Sequence, residues 1–475
     1  MHTPLMPSHD GAAAAVLALT AETSGEVIDE AHPEYDDARR VWNAMIDRHP
    51  AAILRVSGED DIAAAIRCSI EHGIPLAVRG GGHSVAGNGT VDGGIVLDLS
   101  ALSAVDVDAD RELVRIGGGA TLAQVDAATE PHGLAVPLGV VSATGVGGLS
   151  LGGGMGWLTR PYGLSIDNLV SARVVTASGK VVEADDRQNP ELFWGLRGGG
   201  GNFGVVSSFT FRAHRIPQPL YAGNLVYTPR TWDTALAAYA AWTQTLPDEL
   251  NSILTFITPP PHWEMGTDPL MIVGFVWAGR DQSVGEALIA DLRAAAPPEM
   301  EEVEAATWTG WQSAVDELFP KGVRAYWRNS ALKHLSPEVQ EILLRRAAEQ
   351  TWQGTGFDIH HMGGAVARVP AGATPFPDRQ SPYWLNIYGF WTDDGDDERN
   401  VGFVKSFSGD IAPHAAPGRY VNFMGAEEPA APDPGTRAPD DAAVYRGEVF
   451  DRLTALKTEV DPRNVFRLNH NVAPR

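Results

Sequence analysis

The sequence predicts an α+β fold in two parts, on three observations. From Ala51 to about Arg215, short apolar strands alternate with helical segments. From about Tyr221 to Met424, glycine-rich segments disappear and tryptophan rises, and the strands there read as one antiparallel sheet backed by helices. A Pro-, Ala- and Asp-rich stretch, 425–443, then reads as an exposed loop ahead of a last helix and a tail that returns to the first part. The expected divisions are a flexible leader at 1–34, a first domain at 35–216, a second at 217–443 and the returning segment at 444–475.

The elements follow in order. Ala52–Val56, Leu76–Val78, Gly94–Asp98, Leu113–Ile116 and Leu169–Thr176 are short apolar runs of strand length, and Val205–Phe211 ends this half with alternation. Asp60–His72 and Thr121–His132 carry helical periodicity. In the second half Ser252–Ile257, Met271–Trp277, Phe357–Met362 and Tyr383–Trp391 read as strands, and Asp281–Ala295, Pro337–Gln353 and Val444–Glu459 as helices.

Bulk properties narrow the function classes. The chain has 475 residues, 44% of them hydrophobic, enough for a sizeable core. A formal charge of −24 gives a surface that repels nucleic acid and anionic lipid, so neither is an expected partner. The apolar run Ala12–Leu19 has no Lys or Arg before it, unlike a secretory signal, and no stretch reaches the roughly 18 apolar residues of a membrane span. The lone cysteine, Cys68, falls in a helical pattern and reads as a small buried hydrophobe; one cysteine permits no internal disulfide, which suits a cytoplasmic protein, monomeric or homodimeric.

Two glycine-rich segments carry the chemistry. Arg79-Gly80-Gly81-Gly82-His83-Ser84 follows an apolar strand, and Gly145 to Gly156 holds seven further glycines counted with its ends. Glycines after a strand remove side chains where backbone N–H groups can wrap a diphosphate. Neither segment has the Lys-Ser or Lys-Thr of a nucleotide loop, and Gly152-Gly-Gly-Met-Gly156 lacks the Rossmann spacing. No H-E-x-x-H spacing occurs, and neighbours His360 and His361 must point to opposite faces of a strand, so no metal site is expected.

With these segments, the chain resembles the FAD-linked oxidases of the berberine-bridge-enzyme type, in the vanillyl-alcohol-oxidase superfamily. The carriers are Val78–Ser84, Asp92–Leu99, Gly145–Gly156, Tyr162–Asn168, Leu192–Val206 and Asp461–Asn471, spread over almost the whole chain. The resemblance implies a two-part PCMH-type FAD-binding domain, a small organic substrate and O₂ as electron acceptor. It implies FAD covalently attached through His83. The second attachment of many relatives, through a cysteine, aligns with Val141, so a single link is expected. The stretch Tyr445–Leu453 looks like the singly attached branch that includes bacterial amine oxidases such as 6-hydroxy-nicotine oxidase.

The implied cofactor contacts are Arg79, Gly80, Gly81, Gly82, Ser84, Ser142, Thr144, Gly145, Gly148, Gly152, Gly153, Gly156, Val206, Asn469 and Asn471. Tyr445 is a candidate base or substrate anchor from the resemblance. From strand alternation, Asp358, His360 and Met362 share one face, and Asn386 and Tyr388 another, as candidate catalytic or substrate contacts. The expected function is hydride transfer from a CH–OH or CH–NH carbon to flavin. An oxidative cyclase and a flavin-binding protein without turnover stay open as alternatives.

Overall fold

The computed structural model describes residues 9–350, 352–425 and 444–475. It is α+β, with a four-stranded, a five-stranded and an eight-stranded sheet. The first orders its strands Glu26–Ile28, Ala52–Arg55, Ile95–Asp98, Leu76–Arg79; the last three are parallel. The run Ile95–Asp98 is buried on every residue, as a strand between two parallel neighbours requires. Helix Glu59–His72 crosses from one strand of this sheet towards the next and ends on Gly73, left-handed at φ 66°.

Of the segment expected as a flexible leader, the described residues from 9 onward are instead packed. His9–Glu22 is helical, and Ala15 and Leu19, one turn apart, bury against the cluster containing Ile62, Ile66 and Cys68. Glu26–Ile28 pairs antiparallel with Ala52–Arg55 and closes the sheet edge. Cys68 is buried, with burial pushing its thiol up to about 11, so it stays a protonated hydrophobe.

The second sheet is antiparallel, in the order Val105–Asp108, Leu113–Gly117, Val205–Arg212, Leu169–Val175, Val181–Ala184. The eight-stranded sheet is also antiparallel, in the order Met300–Ala306, Leu220–Tyr227, Leu270–Trp277, Leu250–Thr258, Gly354–His361, Tyr383–Trp391, Arg324–Leu332, Ala415–Ala416. Helices Trp232–Trp242, Gln282–Ala295, Pro337–Ala348 and Asp397–Ile411 back one face, sharing a core with Phe357, Ile359, Leu385 and Ile387. Alternation therefore sends Asp358, His360 and Asn386 to the opposite face. Ser336 caps Pro337–Ala348 by accepting the Val339 N–H, with proline at the first helical position.

The last helix, Gly447–Val460, carries the returning tail. Fully buried Lys457 donates to Asp461 at 2.7 Å, to the Asn202 carbonyl at 2.8 Å and to the Phe466 carbonyl at 2.9 Å. Asp461 in turn accepts the Val465 and Phe466 N–H groups. A buried ion pair persists only when its remaining donors and acceptors are filled, and here filling them pins the tail beside Asn202. The loop expected at 425–443 lies outside the described residues from 426 onward.

Candidate active site

A long cavity runs between the two small sheets and the open face of the large one. At one end both glycine segments line it. They touch each other: a β-carbon on Gly81 would collide with the Gly145 nitrogen, and one on Gly145 with the Gly81 nitrogen. Gly148 has open space where a side chain would stand. Arg79, Gly80, Gly82, His83, Ser84, Thr144 and Val206 also form this wall.

Arg79 is buried and donates to Asp98 at 2.8 Å, leaving its second terminal nitrogen without a partner. Burial opposes ionisation of Asp98, but the Arg79 guanidinium and the Ser100 N–H hold it below the usual carboxylate range. His83 is half-buried, with its Nε2 enclosed and unpartnered. Burial pushes this histidine down to about 4, so the ring is neutral near pH 7 and keeps a nucleophilic lone pair. Its ring stacks on Trp42, centroids 4.7 Å apart and 24° between planes.

The tail supplies the next wall. Asn469 lines the cavity, donates to the Gly201 carbonyl at 2.9 Å and leaves its Oδ1 without a partner. Asn471 does not line the cavity, although its Oδ1 is also enclosed and unpartnered. Asn202, whose role no local pattern announces, lines the cavity and accepts the Val472 N–H at 3.0 Å.

The large sheet closes the far end with Asp358, His360 and Asn386, ringed by Phe319, Trp327, Tyr420 and Phe423. Asp358 and Asn386 are register partners on adjacent strands, 6% and 3% exposed. Tyr388 donates its hydroxyl to Asp358 Oδ2 at 2.6 Å. His360 Nε2 lies 3.4 Å from Asp358 Oδ1 without forming a hydrogen bond. The Oδ1 atoms of Asp358 and Asn386 are both enclosed and lack donors. Burial raises the Asp358 pKa, with His360 and the Tyr388 hydroxyl opposing, and burial lowers that of His360. His361 faces the other way, 3.2 Å from buried Arg160, as alternation requires.

Other expected site residues are placed elsewhere. Tyr445 is in the hydrophobic core and donates to the Gly198 carbonyl at 2.8 Å; burial raises its pKa further, so it is neither in the cavity wall nor basic. Met362 lies one residue beyond the strand end, where it packs with Trp384 and Phe376 away from the cavity. Tyr388 is behind Asp358 rather than in the wall. Ser142 is buried and does not line the cavity; its N–H is accepted by Asp316 at 2.8 Å. Gly152, Gly153 and Gly156 permit close approach not to a cofactor but to protein: Asn422, Phe376 and Tyr420, and the Leu138 carbonyl, fill the space of their missing β-carbons.

The donor set fits FAD. Side-chain-free walls leave backbone N–H groups exposed for a diphosphate, Arg79 offers a free nitrogen, and the enclosed polar atoms of His83 and Asn469 await partners. Among the described residues no group of three metal-ligating side chains occurs, and no helix is long and apolar enough to cross a membrane.

Comparison with known proteins agrees with this geometry. Residues 50–185 match the FAD binding domain family, and residues 419–473 the family described as berberine and berberine like. The chain is 28% identical to (R)-6-hydroxynicotine oxidase of Paenarthrobacter nicotinovorans, over 96% of this chain and 98% of that one. It is 35% identical to glucooligosaccharide oxidase of Sarocladium strictum, over 52% of this chain and 51% of the other. The crystal structure of 6-hydroxy-D-nicotine oxidase from Arthrobacter nicotinovorans superposes with a TM-score of 0.83 at 26% identity, covering 95% of this chain and 98% of that one. Glycine-walled cavity, pinned tail and these matches together make the chain an FAD-linked oxidoreductase that carries an FAD binding domain and a berberine-like C-terminal segment.

Proposed function

We propose that this enzyme oxidises a compact cyclic or aromatic amine at a CH–NH carbon, with FAD attached through His83 alone and O₂ as the final electron acceptor. Bound FAD supplies the acceptor for the electron pair. Gly80–Ser84, Thr144, Gly145 and Gly148 hold it, Arg79 and Asn469 offer it polar atoms, and Val141 leaves no thiol for a second link.

The observation that carries the reading is Asp358. One carboxylate oxygen is fixed by Tyr388, and the other is enclosed without a donor beside the equally unpartnered Asn386 Oδ1. Two buried acceptors side by side call for a substrate rich in N–H or O–H. A carboxylate whose pKa is raised by burial accepts that proton more readily than an ordinary one. The ring of Phe319, Trp327, Tyr420 and Phe423 excludes water and suits a flat or cationic substrate. The relative named as a 6-hydroxynicotine oxidase supports an amine. The relative named as a glucooligosaccharide oxidase makes a saccharide the second reading.

Anaerobic mixing of the purified enzyme with a panel of cyclic amines and of saccharides tests this through loss of flavin absorbance. Bleaching by an amine, slowed in Asp358→Asn, is expected. Bleaching by saccharides alone would transfer the proposal to the second reading, and an unslowed variant would remove Asp358 from the mechanism.

A further inference from the structure

We propose that Trp42 is the positioning residue that orients His83 for flavin attachment. The inference rests on the reading of His83 as the attachment point.

Trp42 is 3% exposed and tied on both sides. Towards the glycine loop its N–H donates to the Gly82 carbonyl at 3.0 Å, fixing the residue before His83, and its indole stacks on the His83 ring. Towards the large-sheet domain its indole N–H donates to the Phe319 carbonyl at 3.1 Å, and its carbonyl accepts the Gly322 N–H at 3.0 Å. The next residue repeats the pattern: Asn43 donates to the Val85 carbonyl at 2.8 Å and to the Ala325 carbonyl at 2.9 Å. The two-residue segment is a clasp whose jaws are the His83 loop and residues 319–325.

Among the described residues, no ring other than that of Trp42 stacks on His83. Its Nε2 has no hydrogen-bond partner, and its ring stack is with Trp42. A ring free to rotate about two side-chain torsions would spend little time aligned with a methyl carbon of the flavin; a stacked ring keeps one orientation. Attachment exchanges the imidazole N–H and one methyl C–H for an N–C bond, and the two hydrogens, with their electron pair, are taken up by O₂ as H₂O₂. No atom of Trp42 takes part, so its role is orientation.

The test measures where the flavin goes on acid precipitation, not turnover. Wild-type enzyme, Trp42→Leu and Trp42→Phe are expressed, and total flavin is read from native absorbance. The flavin that stays with the acid-denatured chain is then separated from what is released. Trp42→Leu should bind flavin but retain at least tenfold less after acid. Trp42→Phe keeps a smaller stacking ring and loses the indole N–H, and should restore most of the retention. Full retention in Trp42→Leu would overturn the proposal, as would equal loss in the two variants. Should Trp42→Leu bind no flavin at all, the retention of Trp42→Phe relative to wild type decides alone: retention below a tenth overturns the role of the stack. Acid-labile flavin in the wild type would instead overturn the reading of His83 itself.

Discussion

Gly81 and Gly145 meet backbone to backbone, each occupying the space where the other's β-carbon would stand. The two glycine segments are thus one structure, and the first prediction concerns their seam. Gly81→Ala or Gly145→Ala forces the loops apart, and overpacking of this kind costs about 1–3 kcal/mol. Both variants should melt several degrees lower and lose flavin, measured by thermal denaturation and native absorbance. Gly148→Ala is the control, because nothing lies within 4 Å of the added carbon. Its melting temperature without flavin should be unchanged.

The second prediction separates Asp358 from Tyr388. Asp358→Asn keeps an acceptor oxygen but removes the base, and should slow flavin reduction about 10²–10⁴-fold. Tyr388→Phe removes one hydrogen bond to a charged group and should slow it roughly tenfold. Because burial raises the Asp358 pKa, the acid limb of the wild-type reduction rate should lie above pH 3.8, and the rate should rise with pH through it. Stopped-flow reduction across pH checks this, and the limb should vanish in Asp358→Asn.

Much of this site was legible because it is local. Asp358, His360 and Asn386 follow from strand alternation, and Tyr383–Trp391 has the bounds its apolar run dictates. Features made by distant residues were not legible. Trp42 and Phe319 are 277 residues apart, and nothing near either announces the bond between them. Strand Arg324–Leu332 carries a polar centre that hides it as a strand; Asn329 is buried there because it binds the Tyr420 and Phe423 carbonyls. Edge strand Met300–Ala306, rich in exposed glutamates, has no apolar face to recognise. Glycine identity showed close approach at Gly152, Gly153 and Gly156 but not what approaches, and Tyr445 showed a helix start but not that its ring turns into the core.

The third prediction concerns attachment. Val141 is buried and lines the cavity beside Thr144, whose N–H donates to the Val141 carbonyl at 3.0 Å. His83→Ala should leave all flavin acid-extractable. Val141→Cys in the same background should recover an acid-stable adduct, seen as one added FAD by mass spectrometry of the denatured protein. An adduct in His83→Ala alone would remove His83 as the link.

Thr144 gives the fourth prediction. It is partly exposed and lines the cavity, and its carbonyl accepts the Leu122 N–H at 3.0 Å, which fixes the backbone there. Thr144→Ile adds bulk at that wall without disturbing the loop hydrogen bonds. Reoxidation of the reduced enzyme by aerated buffer should slow at least tenfold, while the anaerobic reduction rate changes little. Equal slowing of both steps would show a distorted site rather than a narrowed path for O₂.

The last prediction is a pH dependence of stability at the contact between the two halves. Asp126, 3% exposed, accepts the Trp308 indole N–H at 2.7 Å, while its Oδ2 is enclosed with no partner. Burial pushes this carboxyl up to about 7, with the Trp308 bond opposing. In the unfolded chain the same group titrates near 3.9. The folded state therefore binds the extra proton between these values, so stability from this group is full below about pH 4 and is lost as pH rises through about 7. Asp126→Asn keeps the acceptor for Trp308 and carries no charge. It should melt higher than wild type at pH 8, by roughly 1–4 kcal/mol of added stability, and little differently at pH 4.5. Unfolding followed at both pH values checks the sign. A variant less stable than wild type at pH 8 would mean that Asp126 is ionised and satisfied in the folded protein.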